Sequence, residues 1–203
     1  MFVKKLIVTG TLTAATALVG SVASRGVDSR WYRKLNKPSI QPPREVFPIV
    51  WTTLYTGIAL ASAGVLTARK RAKAAARALN AANAALAVDV VGDVQTDADG
   101  FAVSTQPHTS VKASLEHHPT RGYRSALLLN LLLNGGWSWA FFRSRNIPLA
   151  LAAAAGLAVS SGDLVRRAGR VSPGLGWALV PYAAWCAFAT VLTARIRRLN
   201  PDA

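Results

Sequence analysis

The sequence predicts an all-α integral membrane protein. Residues 1–203 form one bundle of five transmembrane helices, with a polar insert at about 80–122 between the second and third. Three observations carry this prediction. Five apolar runs approach or reach the roughly 20 residues that cross a bilayer. Basic residues cluster between those runs, at Arg30–Lys37, Arg69–Arg77, Arg143–Arg145, Arg166–Arg170 and Arg195–Arg198, where they anchor helix ends at lipid headgroups. A backbone surrounded by lipid must also satisfy its own hydrogen bonds, which makes each run a helix.

The chain is 51% hydrophobic, and its mean hydropathy of +0.26 is diluted by the polar insert. A net charge of +15 and a pI near 11.3 suit nucleic-acid binding in principle. The placement of the cations at the ends of apolar runs argues instead for a lipid bilayer as partner and against nucleic acid.

The first run, about Leu6 to Ala23, follows Lys4 and Lys5. Its basic start and the small residues Val22-Ala23-Ser24 are shared with signal peptides, but its length favours a retained helix. Residues 24–47 are basic and carry Pro38, Pro42 and Pro43, which exclude a regular helix through that stretch. Pro48 suits the first turn of a second span, about Phe47 to Ala68, which stops at Arg69-Lys70-Arg71. The segment from Ala72 to Gly122 begins Ala-rich and helical, then loses periodicity. It holds five of the nine acidic residues and is expected to be extramembrane and mobile or weakly folded. Asp97-Ala98-Asp99-Gly100 lacks the later ligands and closing Glu of a calcium loop. Third, fourth and fifth spans follow at about Tyr123–Phe142, Ile147–Val165 and Leu175–Ile196, and the short link makes the third and fourth antiparallel neighbours. Basic residues divide almost evenly between the two sides, so charge does not set the orientation.

Conventional chemistry finds little support. Cys186 is the single cysteine and lies in an apolar run, where a buried inert thiol is expected. His117-His118 with Glu116 lacks metal-ligand spacing, and no nucleophile–base pair or phosphate loop is present in sequence. Asp163 is expected to form a local ion pair with Arg166 and Arg167 at i+3 and i+4. More informative are three stripes at helical spacing: Trp51 and Tyr55 above Ile58; Asn130, Asn134, Trp137 and Phe141; and Trp177, Pro181, Trp185 and Phe188. Amides are unfavourable facing lipid, so Asn130 and Asn134 should turn inward. Two readings remain open: helix–helix packing, or a pocket with flat aromatic walls and a few amides that takes a large planar apolar ligand.

A resemblance adds to this. Trp31-Tyr32-Arg33-Lys34-Leu35-Asn36-Lys37-Pro38-Ser39-Ile40-Gln41-Pro42-Pro43, then Phe47, Val50-Trp51 and Leu54-Tyr55, resemble the signature of the TspO/MBR family. So do Leu131 to Asn134 with Trp137-Ser138 and Phe141-Phe142, and Pro181-Tyr182 with Trp185, Phe188-Ala189 and Leu199-Asn200-Pro201. The resemblance implies five packed helices, a homodimer, and binding of tetrapyrroles (porphyrin or haem as ligand, no cofactor required) and other apolar molecules. Sensing or transport is implied, with light-dependent porphyrin breakdown as an alternative activity. The ligand-binding residues it implies are Trp31, Pro42, Pro43, Trp51, Tyr55, Asn134, Trp137, Trp185 and Phe188, with Trp31 and the two prolines in a loop that caps the pocket. Departures from the family pattern are Ile40 in place of a Trp, Asn130 in place of Gln, and Thr193 in place of Asn. Leu175 replaces a small residue and is expected to crowd the pocket.

Overall fold

The structure, a computed structural model, describes residues 1–92 and 122–202. Helix α1 (Phe2–Ser24) runs into a 3-10 turn, Arg25–Asp28. The short helix α2 (Arg30–Lys34) follows, capped by Ser29, whose hydroxyl accepts from the Tyr32 amide at 3.2 Å. A loop leads to α3 (Val46–Gly92), then α4 (Tyr123–Ser138), α5 (Ile147–Gly169) and α6 (Pro173–Leu199). Prolines stand early in α3, α5 and α6, where no intrahelical amide bond is lost. Asn146 caps α5 by accepting from the Leu149 amide at 2.8 Å.

Among the described residues, α1 with its following turn, α3, α5 and α6 are long and apolar enough to cross a membrane. The chain is therefore an integral, multi-pass, all-α membrane bundle. As a regular helix α4 has only 16 residues, but it widens without a break into a π turn, Trp139–Arg143, with the Ser144 amide bonded to the Trp139 carbonyl.

The helix that carries the second span continues through Arg69-Lys70-Arg71 to Gly92, which agrees with the Ala-rich helical start expected from Ala72. Its 47 residues rise about 70 Å, more than twice a hydrocarbon core, so α3 projects beyond the bilayer. An Ala-rich sequence of high helix propensity explains the continuation. The remainder of the 80–122 insert, with His108, His117 and His118, lies outside the described residues. Within residues 24–47, the stretch before Pro38 forms the 3-10 turn and α2, because a proline restricts its own position and the residue before it and leaves earlier residues free to coil.

Two apolar cores are stacked along the bundle. The larger joins α3, α4, α5 and α6 around Leu54, Ile58, Leu127, Leu157, Leu164 and Leu179. The smaller lies where α1, α4 and α6 end and α3 and α5 begin; it gathers Leu35, Phe141, Ile147, Leu192 and Ile196. Glycines allow a close approach at the α5–α6 turn: a Cβ on Gly176 would lie 2.8 Å from the Cα of Gly169, so the two helices meet there backbone to backbone. On α1, Thr9 donates to the Ala59 carbonyl of α3 at 2.8 Å, and on α4 the buried Tyr123 hydroxyl lies 3.0 Å from Ser62 of α3.

Candidate functional site

Helical periodicity brings the third-span stripe inward: Asn130, Asn134 and Phe141 are buried and Trp137 is half-buried, while Trp139 is 42% exposed. Two positions along a helix turn the side chain by about 200°, which separates the two tryptophans. The fifth-span stripe does not hold together as expected. Trp185 and Phe188 are half-buried, but Trp177 is 72% exposed and Pro181 faces outward. Successive i, i+4 steps drift by about 40° each, so a residue eight positions away has left the face. Leu179, Tyr182 and Cys186 occupy the interior of α6 instead.

The buried amides form one hydrogen-bonded chain across four helices. Tyr55 donates to Asn134 Oδ1 at 2.6 Å, and Asn134 Nδ2 donates to the Tyr182 hydroxyl at 3.3 Å. Tyr182 donates to Asn130 Oδ1 at 2.7 Å, and Asn130 Nδ2 donates to Ser161 at 3.0 Å and Ser160 at 3.3 Å. Cys186 Sγ lies 3.4 Å from the Ser161 hydroxyl. Asn134 thus has both ends of its amide engaged by protein.

Above this chain the aromatic rings collect. From α3 and α6, Trp51 stacks on Tyr55 at 5.4 Å and meets Tyr182 edge-on at 6.5 Å; Phe47 meets Trp185 at 5.8 Å, and Trp185 meets Phe188 at 5.3 Å. From α2 and α4, Trp31, Tyr32 and Trp137 surround Phe141 at 5.8, 6.2 and 5.9 Å. Phe47 and Phe188 pack on the same small core as Trp31 and Trp137, so the two groups of rings adjoin. Such aromatic pairs are each worth about 0.5–1.5 kcal/mol beyond area burial.

The loop after α2 is fastened over this end. Asn36 and Asn200 clasp each other: the Asn36 amide N–H donates to Asn200 Oδ1 at 2.9 Å, and Asn200 Nδ2 donates to the Asn36 carbonyl at 2.9 Å. Lys37 Nζ donates to the carbonyls of Tyr32 and Leu35 and sits 4.8 Å from the Tyr32 ring centroid. Gln41 Nε2 donates to the Tyr32 hydroxyl at 3.2 Å. Burial raises the Tyr32 phenol above its ordinary pKa, with the Gln41 hydrogen bond opposing. Pro42 is half-buried beside Gln41, and Pro43 is exposed. Two buried side-chain atoms here have no protein partner, Gln41 Oε1 and Trp137 Nε1. A buried polar group left unpaired costs about 1–3 kcal/mol.

The sequence pattern of the TspO/MBR family matches residues 8–91 and 108–199. The chain belongs to the TspO/MBR family. The tryptophan-rich protein TspO of Bacillus cereus is 26% identical over 201 residues, 98% of this chain and 100% of that protein. The uncharacterized membrane protein YtaB of Bacillus subtilis is 23% identical over 174 residues, 86% of this chain and 83% of that protein. The tryptophan-rich sensory protein of Cereibacter sphaeroides is 45% identical over 49 residues, 23% of this chain and 31% of that protein.

One departure from the TspO/MBR pattern has a different consequence from the one expected. Leu175 does not reach the aromatic end. It rests on Gly64, where an added Cβ would lie 2.8 Å from Leu175 Cδ2, about 20 Å along α3 from Trp51. Asp163 pairs with Arg166 and Arg167, as expected. Tyr32, Gln41, Phe47, Phe142 and Tyr182 also belong to this end of the bundle, although sequence reasoning did not place them among the site residues. Tyr182 had a usable signal: a tyrosine inside an apolar run needs a partner for its hydroxyl.

Proposed function

We propose that this TspO/MBR member binds tetrapyrroles, porphyrin or haem, and other flat apolar molecules among the rings beneath the loop, acting as a membrane sensor or carrier. The observation that carries the reading is the convergence of aromatic rings from α2, α3, α4 and α6 at one end of the bundle, beside two buried polar atoms without partners. Rings of this kind stack on a planar π-system, and a small number of polar groups orient it. In this reading Trp51, Tyr55, Trp137, Trp185 and Phe188 supply the walls, and Trp31, Pro42 and Pro43 the cap. Asn134 acts through Tyr55, whose hydroxyl it holds.

We further propose that α4 and its π turn, 16 and five residues, together make a fifth span of about 30 Å, and that the protein works as a homodimer. The polar insert is dispensable for the ligand. Replacing roughly residues 80–121 with a short flexible linker should change porphyrin affinity by less than about tenfold.

The decisive experiment is a titration of purified protein in detergent with protoporphyrin, following the Soret band and tryptophan fluorescence. A saturable Soret shift with quenching is expected. Absence of both refutes the reading and leaves the rings as helix packing. Protein-dependent pigment loss on illuminating the complex would replace the carrier reading with light-dependent breakdown.

A further inference from the structure

We propose that Lys70, Arg71, Lys73 and Arg77, on the projecting part of α3, form a docking surface for the headgroups of anionic phospholipids. The bundle then selects lipids of net negative charge at the end opposite the aromatic rings, independently of any ligand bound among those rings. Contacts fix the level at which α3 leaves the bundle. Thr9 of α1 donates to the Ala59 carbonyl, the Tyr123 hydroxyl at the start of α4 meets Ser62, and Leu175 at the start of α6 rests on Gly64. From Val46 to Ala68, α3 rises about 34 Å, enough to cross a hydrocarbon core of about 30 Å. The four cations follow at once, and Arg77 stands about 14 Å beyond Ala68.

Helical geometry turns these cations away from the bundle. Ala72 and Ala76 are half-buried and continue the interior stripe of α3, each within about 20° of the direction of the buried Val65. Lys73 is turned from that direction by about 80°, Arg71 and Arg77 by about 120° and Lys70 by about 140°, and all four are exposed. Their charge is not neutralised within the fold. Val46 to Val88 holds no Asp or Glu, and none of the ion pairs among the described residues includes these four. Asp163, at the same end, is already held by Arg166 and Arg167. The partner follows from where the cations stop. Ala78 to Gly92 continues the same helix without a Lys or Arg. A duplex nucleic acid presents charge along its whole length, and a rod that bound one would carry cations along its own. A charged bilayer acts over a headgroup layer of about 5–8 Å and a Debye length of about 8 Å beyond it. Together these reach about 13–16 Å, the height of Arg77. A cluster of about 4–8 basic residues directly beyond a span is the arrangement an anionic leaflet attracts. At the opposite end the cations are divided among α2, the π turn and α6.

The test reconstitutes the full-length protein in vesicles of phosphatidylcholine and phosphatidylglycerol. Electron paramagnetic resonance then compares how strongly spin-labelled phosphatidylglycerol and spin-labelled phosphatidylcholine are held at the protein surface. One basic residue near an anionic surface favours it by about fivefold. Averaged over all the lipid around the bundle, wild type should prefer phosphatidylglycerol by about twofold or more at low salt. Raising the salt from about 0.01 M to about 1 M shortens the Debye length from about 30 Å to about 3 Å and should remove most of that preference. A triple variant, Lys70→Gln, Lys73→Gln and Arg77→Gln, should lose most of it at low salt while keeping the helicity of wild type. A matched triple at the other end, Arg195→Gln, Arg197→Gln and Arg198→Gln, should retain it. So should Lys70→Arg, Lys73→Arg and Arg77→Lys, which exchange the side chains and keep the charge. Five results would each overturn the proposal: equal retention of the two lipids by wild type, a preference indifferent to salt, a preference that survives the α3 triple, equal losses in the two Gln triples, or loss in the charge-keeping variant. Displacement of phosphatidylglycerol by a duplex oligonucleotide at constant ionic strength would also overturn it, and would make a soluble polyanion the partner.

Discussion

Replacing Tyr182 with Phe removes one oxygen from the centre of the buried hydrogen-bonded chain. That oxygen donates to Asn130 at 2.7 Å and accepts from Asn134 at 3.3 Å, in a side chain only 1% exposed. Without it, Asn130 Oδ1 and Asn134 Nδ2 lose these bonds, while Ser161 and Tyr55 continue to hold the opposite ends of the two amides. Hydrogen bonds inside membrane proteins are worth about 0.6 kcal/mol each on average and up to about 1.7. Two such bonds give a loss of about 1–3 kcal/mol, concentrated at the junction of α4 and α6. The assay is reversible unfolding in mixed micelles, read by helicity, for wild type, Tyr182→Phe, Asn130→Leu and the double variant. The double variant should be more stable than the sum of the singles implies, because replacing both partners removes an orphaned group. Full additivity, or a Tyr182→Phe variant as stable as wild type, would refute the continuous chain.

Five other substitutions probe separate parts of the structure. Trp137→Leu should weaken protoporphyrin binding by about 0.5–1.5 kcal/mol of lost stacking, whereas the 42%-exposed Trp139 should tolerate Leu with affinity near wild type; titration under matched detergent conditions decides. Gly176→Ala places a Cβ 2.8 Å from Gly169 Cα and 3.3 Å from the Val165 carbonyl, so it should destabilise the α5–α6 contact by about 1–3 kcal/mol in the same unfolding assay. At Gly64 the added methyl meets only the tip of Leu175, a flexible side chain, and Gly64→Ala should lose well under half as much. Asn200→Ala opens the clasp to Asn36, and hydrogen exchange should accelerate across residues 35–41 while the helices keep their protection.

The division between what sequence and tertiary structure decide is visible residue by residue. Run lengths and basic punctuation alone mark the chain as a multi-pass membrane bundle with several apolar spans, because a bilayer imposes one length scale and one polarity pattern on any chain that crosses it. The stripe of Asn130, Asn134, Trp137 and Phe141 was legible for a related reason: two amides cannot face lipid, so one helix face is marked as interior. The α6 stripe carried no such mark. Trp177 and Trp185 are equally comfortable at a membrane surface or in a core, and only packing against α3 and α5 turned Trp185 inward and left Trp177 outside. Periodicity relates residues within one helix; it does not say which direction faces a neighbour. The pairings of Tyr55 with Asn134 and of Asn36 with Asn200 join residues 79 and 164 positions apart, and the open valences of Gln41 and Trp137 are defined only once every other buried group has found its partner. These are properties of the assembled bundle, because a hydrogen bond depends on distance and direction between helices, which no single stretch of the chain encodes.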